Sequence, residues 1–201
     1  KTNKVKNIGG NNVPIVISNL KRKNKIKPSS FFPLGYQYSV PLDKWNINDQ
    51  ATDYIFLGDK KIDFEIPGTL RLIYNYSFWK KNQEGYPLLN SDEFLNSNKL
   101  SKEINFIEIY FKDICEELFT KITKDTTAVL ILKTNNINAV AEQRRVFIEL
   151  INRNIKTPVV ISRDYSQLDA KYLQLNSSSD IGSLLIDGLG DGITINNNKQ
   201  G

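Results

Sequence analysis

Two cations stand where chemistry would be placed in a fold built from parallel strands. Lys133 follows the apolar run Ala128-Val129-Leu130-Ile131-Leu132, and Arg163 follows Val159-Val160-Ile161-Ser162. At the C-terminal ends of barrel strands, Arg can fork onto a diphosphate and Lys can meet it as a point charge. The competing reading pairs both with carboxylates such as Asp164, or leaves them solvated at the rim. Ser18-Asn19, Asn176 and Asn196 are the other expected strand ends. Gly188-Leu189-Gly190-Asp191-Gly192 could also cradle a phosphate, because glycine turns expose backbone amides. That turn follows a helix pattern and precedes a strand pattern, so it belongs at the opposite, stability-bearing end of a barrel. There the glycines serve backbone geometry, and Asp191 is expected to cap exposed amides.

Other chemistries lack their residues. The chain has no His and one Cys, Cys115. An internal disulfide, a Cys/His zinc site and a Cys-ligated iron–sulfur cluster are therefore excluded. Cys115 reads as a small buried hydrophobe in a helix, with no His to activate it. Ser162 and Ser177 to Ser179 have no His partner for a triad. The carboxylate pairs Asp53/Asp59 and Asp63/Glu65 are not brought together by any pattern. Asp187 and Asp191 supply too few oxygens for calcium. No catalytic, cofactor or metal residue is assigned, and Lys133 and Arg163 remain as phosphate candidates.

The elements that must position them read as follows. Residues 1–12 form a flexible lead, and 13–201 a single barrel-like domain. Strands are expected over 13–18, 54–58, 69–76, 128–133, 157–164, 172–176 and 193–195, from β-branched and apolar runs. Ser91 or Asp92 caps a short helix over 92–98. From Ser101 a stripe of Ile104, Ile107, Phe111, Ile114, Leu118 and Ile122 predicts one long helix. A further helix spans 138–153, with Val140, Phe147, Ile148 and Ile151 inward. The last helix is capped by Ser179 or Asp180 and stopped by a left-handed Gly188. Residues 28–50 carry Phe31, Phe32, Tyr36, Tyr38 and Trp45 among four breakers, as an irregular segment that packs over one end of the fold or meets another domain. The alternation of strands and helices argues an α/β fold, a degenerate or incomplete (β/α)8 barrel of the TIM type. No Gly-x-Gly-x-x-Gly follows an early strand, which argues against a dinucleotide fold.

With 201 residues, 40% of them hydrophobic, the chain can bury a real core. Its net charge of +5 comes from Lys dispersed among Asn, apart from the dense run Lys21-Arg22-Lys23-Asn24-Lys25-Ile26-Lys27. That run lacks the fold signature and stacking platform of a nucleic-acid site and reads as a solvated loop. No stretch approaches membrane-spanning length. The chain begins with Lys and contains no Met, so it reads as a piece of a larger polypeptide.

Leu184-Leu185-Ile186-Asp187-Gly188-Leu189-Gly190-Asp191-Gly192-Ile193 resembles the "LL-x-(D/E)G-(L/I)GD" segment of the IspG/GcpE family of 4-hydroxy-3-methylbut-2-enyl diphosphate synthases. Glu142 to Leu150, followed by Thr157-Pro158-Val159-Val160, is similar to an upstream helix and strand of the same family. In the family's catalytic barrel the motif continues Gly-Asp-Thr-Ile-Arg-Val-Ser. Here it reads Gly190-Asp191-Gly192-Ile193-Thr194-Ile195-Asn196, with Thr194 in the Arg position. This form resembles the extra barrel-like domain that plant and apicomplexan (Plasmodium-like) members carry between catalytic barrel and cluster domain.

The resemblance implies a non-catalytic insert inside an oxidoreductase of isoprenoid precursor synthesis, the MEP pathway. The parent would reductively open 2-C-methyl-D-erythritol 2,4-cyclodiphosphate with a [4Fe-4S] cluster held by three Cys and one Glu outside this chain. It further implies ferredoxin, or flavodoxin in some bacteria, as electron donor, a homodimeric parent and the apicoplast, a plastid, as location. The Asn/Lys bias is associated with an apicomplexan source. The alternative function is a protein-binding module that docks an acidic ferredoxin through the basic 21–27 run or the aromatic 31–45 segment.

Overall fold

The computed structural model describes residues 1–165 and 168–197. Eight parallel strands close into a barrel: β1 (Ile15–Asn19), β4 (Tyr54–Gly58), β5 (Arg71–Asn75), β6 (Tyr86–Asn90), β7 (Asn105–Ile109), β8 (Ala128–Leu132), β9 (Val159–Asp164) and β10 (Gly192–Asn196). Each pairs with its sequence neighbour, and β10 returns to β1 to close the ring. A separate antiparallel hairpin, β2 (Tyr36–Ser39) with β3 (Lys44–Ile47), lies outside it. The α/β TIM-type barrel expected from the alternating pattern is thus present, and it is closed.

The helical layer is where the barrel is degenerate. Crossovers from β5 through β10 carry α1 (Tyr76–Asn82), α2 (Ser91–Asn96), α3 (Glu116–Lys124), α4 (Ala139–Asn152) and α5 (Ala170–Ile186) in turn. Between β1 and β4 the wall is covered by a 3-10 turn over Pro28–Leu34 and the β2–β3 hairpin, and residues 59–70 form no helix or strand. Aromatic contacts hold the hairpin in place of a helix. Phe31 packs against both Trp45 and Phe64, and Trp45 Nε1 donates to the Glu65 carbonyl at 3.1 Å. The aromatic segment thus packs over the outside of the barrel and contains two strands that its breakers hid.

Pleat alternation divides the apolar residues into two cores. Inside the barrel lie Ile15, Ile17, Tyr54, Ile73, Phe106, Val129, Ile131 and Val160. Outside, between strands and helices, lie Ile55, Leu57, Ile107, Leu130, Leu132, Ile161 and Leu184 among others. β8 is apolar and buried along its whole length because both of its faces are covered.

Several expectations are corrected. Residues 1–12 are not a loose lead: Val5 and Ile8 bridge each other and are buried in the inner core, sealing the N-terminal end of the barrel. The amide of Asn3 donates to the Lys156 carbonyl at 2.6 Å and ties the segment down. The long helix from Ser101 divides into β7, a 3-10 turn over Phe111–Asp113 and α3, with Ile104, Phe106 and Ile107 in the barrel wall. Consequently Cys115 is not buried in a helix interior; it is the exposed N-cap residue of α3. β6 went unread. The cap of α2 is Asn90, whose Oδ1 accepts from the Glu93 amide at 2.7 Å while Glu93 Oε2 accepts from the Asn90 amide. In α4 the inward residues are Ala139, Gln143, Val146, Phe147 and Leu150, whereas Ile148 and Ile151 face solvent. Residues 172–176 are helical, inside α5, so Ser179 and Asp180 are mid-helix and not caps.

Candidate functional site

The C-terminal mouth of the barrel is where a site would form, and alternation determines which side chains reach it. Val129 and Ile131 point inward, so Lys133, just past β8, points into the mouth. β8 and β9 pair Leu132 with Ile161, which sets Lys133 on the same face as Ser162 and the opposite face from Arg163. Arg163 therefore faces the helical layer. The two candidate cations lie on opposite sides of the barrel wall and do not converge.

Each is also neutralised. Lys133 Nζ lies 3.1 Å from Glu108 Oε1, on the neighbouring strand, and over the Tyr110 ring. Burial pulls its ammonium down, but Glu108 and Tyr110 outweigh this and hold the pKa above the ordinary lysine value. Arg163 Nη2 lies 2.9 Å from Asp180 Oδ2 on α5, and Tyr165 Oη donates to the same carboxylate oxygen at 2.8 Å. Burial raises the Tyr165 phenol to about 12, so it remains a donor at neutral pH. This triad pins α5 to the end of β9. The partners are Glu108 and Asp180, where sequence reasoning named Asp164. Both partners were legible only after β7 and α5 had been drawn correctly.

The rest of the mouth is amide-rich and paired within itself. Asn19 Nδ2 donates to Asn196 Oδ1 at 2.9 Å across the β1–β10 seam. Asn75 Nδ2 donates to Asp59 Oδ1 at 3.0 Å, and Asn90 is occupied in capping α2. Asn176, expected at a strand end, lies in α5. Asp53 and Asp59 flank β4 at opposite ends, roughly 20 Å apart for six residue steps, so they form no catalytic pair. Asp53 Oδ2 instead accepts from the Val16 amide at 2.9 Å. Asp63 and Glu65 are exposed on the β4–β5 connection. Among the described residues no group of three or more His, Cys, Asp or Glu could hold a metal ion, and no helix is long and apolar enough to cross a membrane.

The glycine turn lies at the other end, as its order in the chain implied. Gly188, with φ +74°, ends α5, and its amide donates to the Leu185 carbonyl at 2.9 Å. Asp191 does the capping: Oδ2 accepts from the Val159 amide at 2.9 Å and Oδ1 from Thr2 Oγ1 at 2.6 Å. One carboxylate thus joins the start of β9 to the N-terminal seal. Asp191→Ala removes two charge-assisted bonds and is expected to cost about 2–3 kcal/mol, read as a fall in the urea midpoint without a change in slope. An unchanged midpoint would show that water replaces both.

The arrangement defines a closed parallel α/β barrel whose strand-end charges are spent internally. No protein-family model matches the chain, and no solved structure does. Similarity is found to bacterial proteins named "4-hydroxy-3-methylbut-2-en-1-yl diphosphate synthase (flavodoxin)". The protein from Parabacteroides distasonis is 31% identical over 193 residues, 96% of this chain and 28% of its own length. That from Phocaeicola vulgatus is 25% identical over 198 residues, 98% of this chain and 29% of its own length. A third, from Porphyromonas gingivalis, is 31% identical over 106 residues, 53% of this chain. The chain therefore matches one part of these synthases and spans less than a third of their length. The sources are bacterial, and nothing in the comparisons points to an apicomplexan one.

Proposed function

We propose that this chain is a non-catalytic domain of a 4-hydroxy-3-methylbut-2-en-1-yl diphosphate synthase, and that it sets the spacing between the parts of the enzyme that bind substrate and deliver electrons. The observation that carries the reading is the fate of the strand-end cations. Lys133 and Arg163 lie on opposite faces of the wall, each bound to a carboxylate. A similarity that spans nearly all of this chain but under a third of its relatives supports the same reading.

The [4Fe-4S] cluster implied by the family resemblance does not fit these residues, since one Cys and no His cannot ligate it. No step of the reaction is assigned to this chain. Its contribution is stiffness. A sealed barrel with two packed cores and a closed strand ring holds its two ends at a fixed separation, and small errors in separation cost rate.

The test is deletion of this region from the full synthase, bridged by a flexible linker. Turnover is expected to fall about 100-fold with substrate affinity retained, the cost of misplacing reacting groups by about 1 Å. In the full enzyme, Lys133→Ala and Arg163→Ala should leave KM for the cyclodiphosphate unchanged. Lost affinity in either single variant would overturn the reading and return a substrate site to the strand ends.

A second reading has one observation in its favour. Lys60 Nζ donates to the Lys21 carbonyl, which brings the 21–27 run, exposed except for Ile26, beside Lys60 and Lys61 on one rim. Such a rim suits an acidic electron carrier, of the flavodoxin kind that the relatives' names carry or a ferredoxin. A steep loss of donor affinity with salt, relieved by neutralising Lys21 and Lys23, would favour it.

A further inference from the structure

The outer face of the barrel is covered unevenly along a single row of register partners. Leu132, Ile161, Ile193 and Val16 follow one another across β8, β9, β10 and β1. Leu132 and Ile161 are 0% exposed, Ile193 is half-buried and Val16 is 39% exposed. Beyond β1, Ile55 of β4 returns to 0%, in the outer core that also holds Phe31 and Tyr36 of the turn and hairpin. The thinly covered strip thus coincides with β10 and β1, where Ile193 and Ile195 pack only partly buried against the outer core and Val16 is exposed. Parallel sheets are buried on both faces, and this is the strip where that rule is broken.

Element order indicates what would cover it. In right-handed βα units the helix after one strand packs over that strand and the next. α5 follows β9 in this way, with Leu185 and Leu189 against the outer core. β10 is the eighth strand of the ring, so the helix that would follow it covers β10 and β1. Two strands span roughly 10 Å, the width of one helix. We propose that an amphipathic helix from the flanking polypeptide seats in this slot, with one aliphatic stripe over Val16, Ile193 and Ile195 and a polar outer face. The inference rests on reading the chain as one domain of a longer synthase, whose relatives extend well beyond the matched region.

The test is thiol protection. In a Cys115→Ser background, Val16→Cys and Ile148→Cys are placed separately in the 201-residue chain and in the full synthase polypeptide, and alkylation by iodoacetamide is timed. Ile148, on the outer face of α4, is exposed and serves as the reference. The thiol at 16 is expected to react about tenfold or more slowly in the full polypeptide than in the 201-residue chain, while the thiol at 148 reacts equally in both. Equal rates at 16 would overturn the proposal. Slow reaction at 16 in the 201-residue chain that recovers on dilution would also overturn it, because the cover would then be a second copy. Protection at 16 in a polypeptide without synthase activity would keep the helix and discard the functional reading.

Discussion

Gly192→Thr is expected to lower the unfolding temperature of this chain by about 6–12 °C. Gly192 opens β10 on the inner face of the barrel, paired with Ile15 across the seam. A Cβ at that position would lie 2.5 Å from Ile15 Cγ1 and 2.8 Å from the Ile15 carbonyl oxygen. A flexible side chain could yield, but a strand carbonyl in the closing seam cannot move without loosening the ring. The cost is put at about 3 kcal/mol or more, the upper end for overpacking a core, against a total stability of about 5–15 kcal/mol. Thermal unfolding within about 2 °C of wild type would show that β1 and β10 can separate to admit a side chain, contrary to the geometry.

Phe106→Ala should be comparably damaging for the opposite reason. Phe106 is fully buried inside the barrel and meets the Tyr54 ring edge-on at 5.3 Å between centroids. Truncation leaves a void at the centre of a closed ring of strands, which cannot collapse as a helix pair can. A loss of about 3–5 kcal/mol is expected. Tyr54 would feel it directly: burial raises its phenol well above the ordinary value, and its Oη donates to Asn7 Oδ1 of the N-terminal seal at 2.6 Å. A second readout follows, in which the 1–12 segment loses hydrogen-exchange protection along with the core. A variant that unfolds as late as wild type would mean that the inner core is dispensable and that the outer core alone holds the barrel.

Much of this architecture could be read from residue order, and what could not has a physical cause in each case. β8 announced itself because a strand covered on both faces must be apolar throughout, and Ala128 to Leu132 is. The turn from Leu184 to Ile193 was legible because Gly188 and Asp191 do local work, ending a helix and capping a strand. Residues 104–122 misled because Ile104, Ile107, Phe111, Ile114, Leu118 and Ile122 satisfy helical spacing, although Asn105-Phe106-Ile107-Glu108-Ile109 also has the β-branched and aromatic character of a strand. Tertiary pairing with β6 and β8 decides between the two. The first half of α5 misled differently. From Ala170 to Ser179 it touches little of the barrel, so no burial imposes a helical period on its sequence. Val5 and Ile8 are isolated apolar residues in a polar stretch, and only the open end of a barrel explains them. The candidate site inherits these errors: Lys133 and Arg163 fall at strand ends, but Glu108 reads as helical where it lies in β7, and Asp180 reads as a helix cap where it lies in mid-α5.

The seam between β1 and β10 has a consequence for how the protein is made. Asn19 and Asn196, which meet across it, are 177 residues apart in the chain. At about 5–20 residues per second, ribosomal synthesis leaves one edge of β1 without its partner for roughly 9–35 s. During that interval the nascent chain presents an open parallel sheet, with the backbone amides and carbonyls of that edge available to any other extended segment. Chaperone demand in the cell is therefore concentrated in the time before β10 emerges, and that strand decides whether the ring closes on itself or on a neighbour.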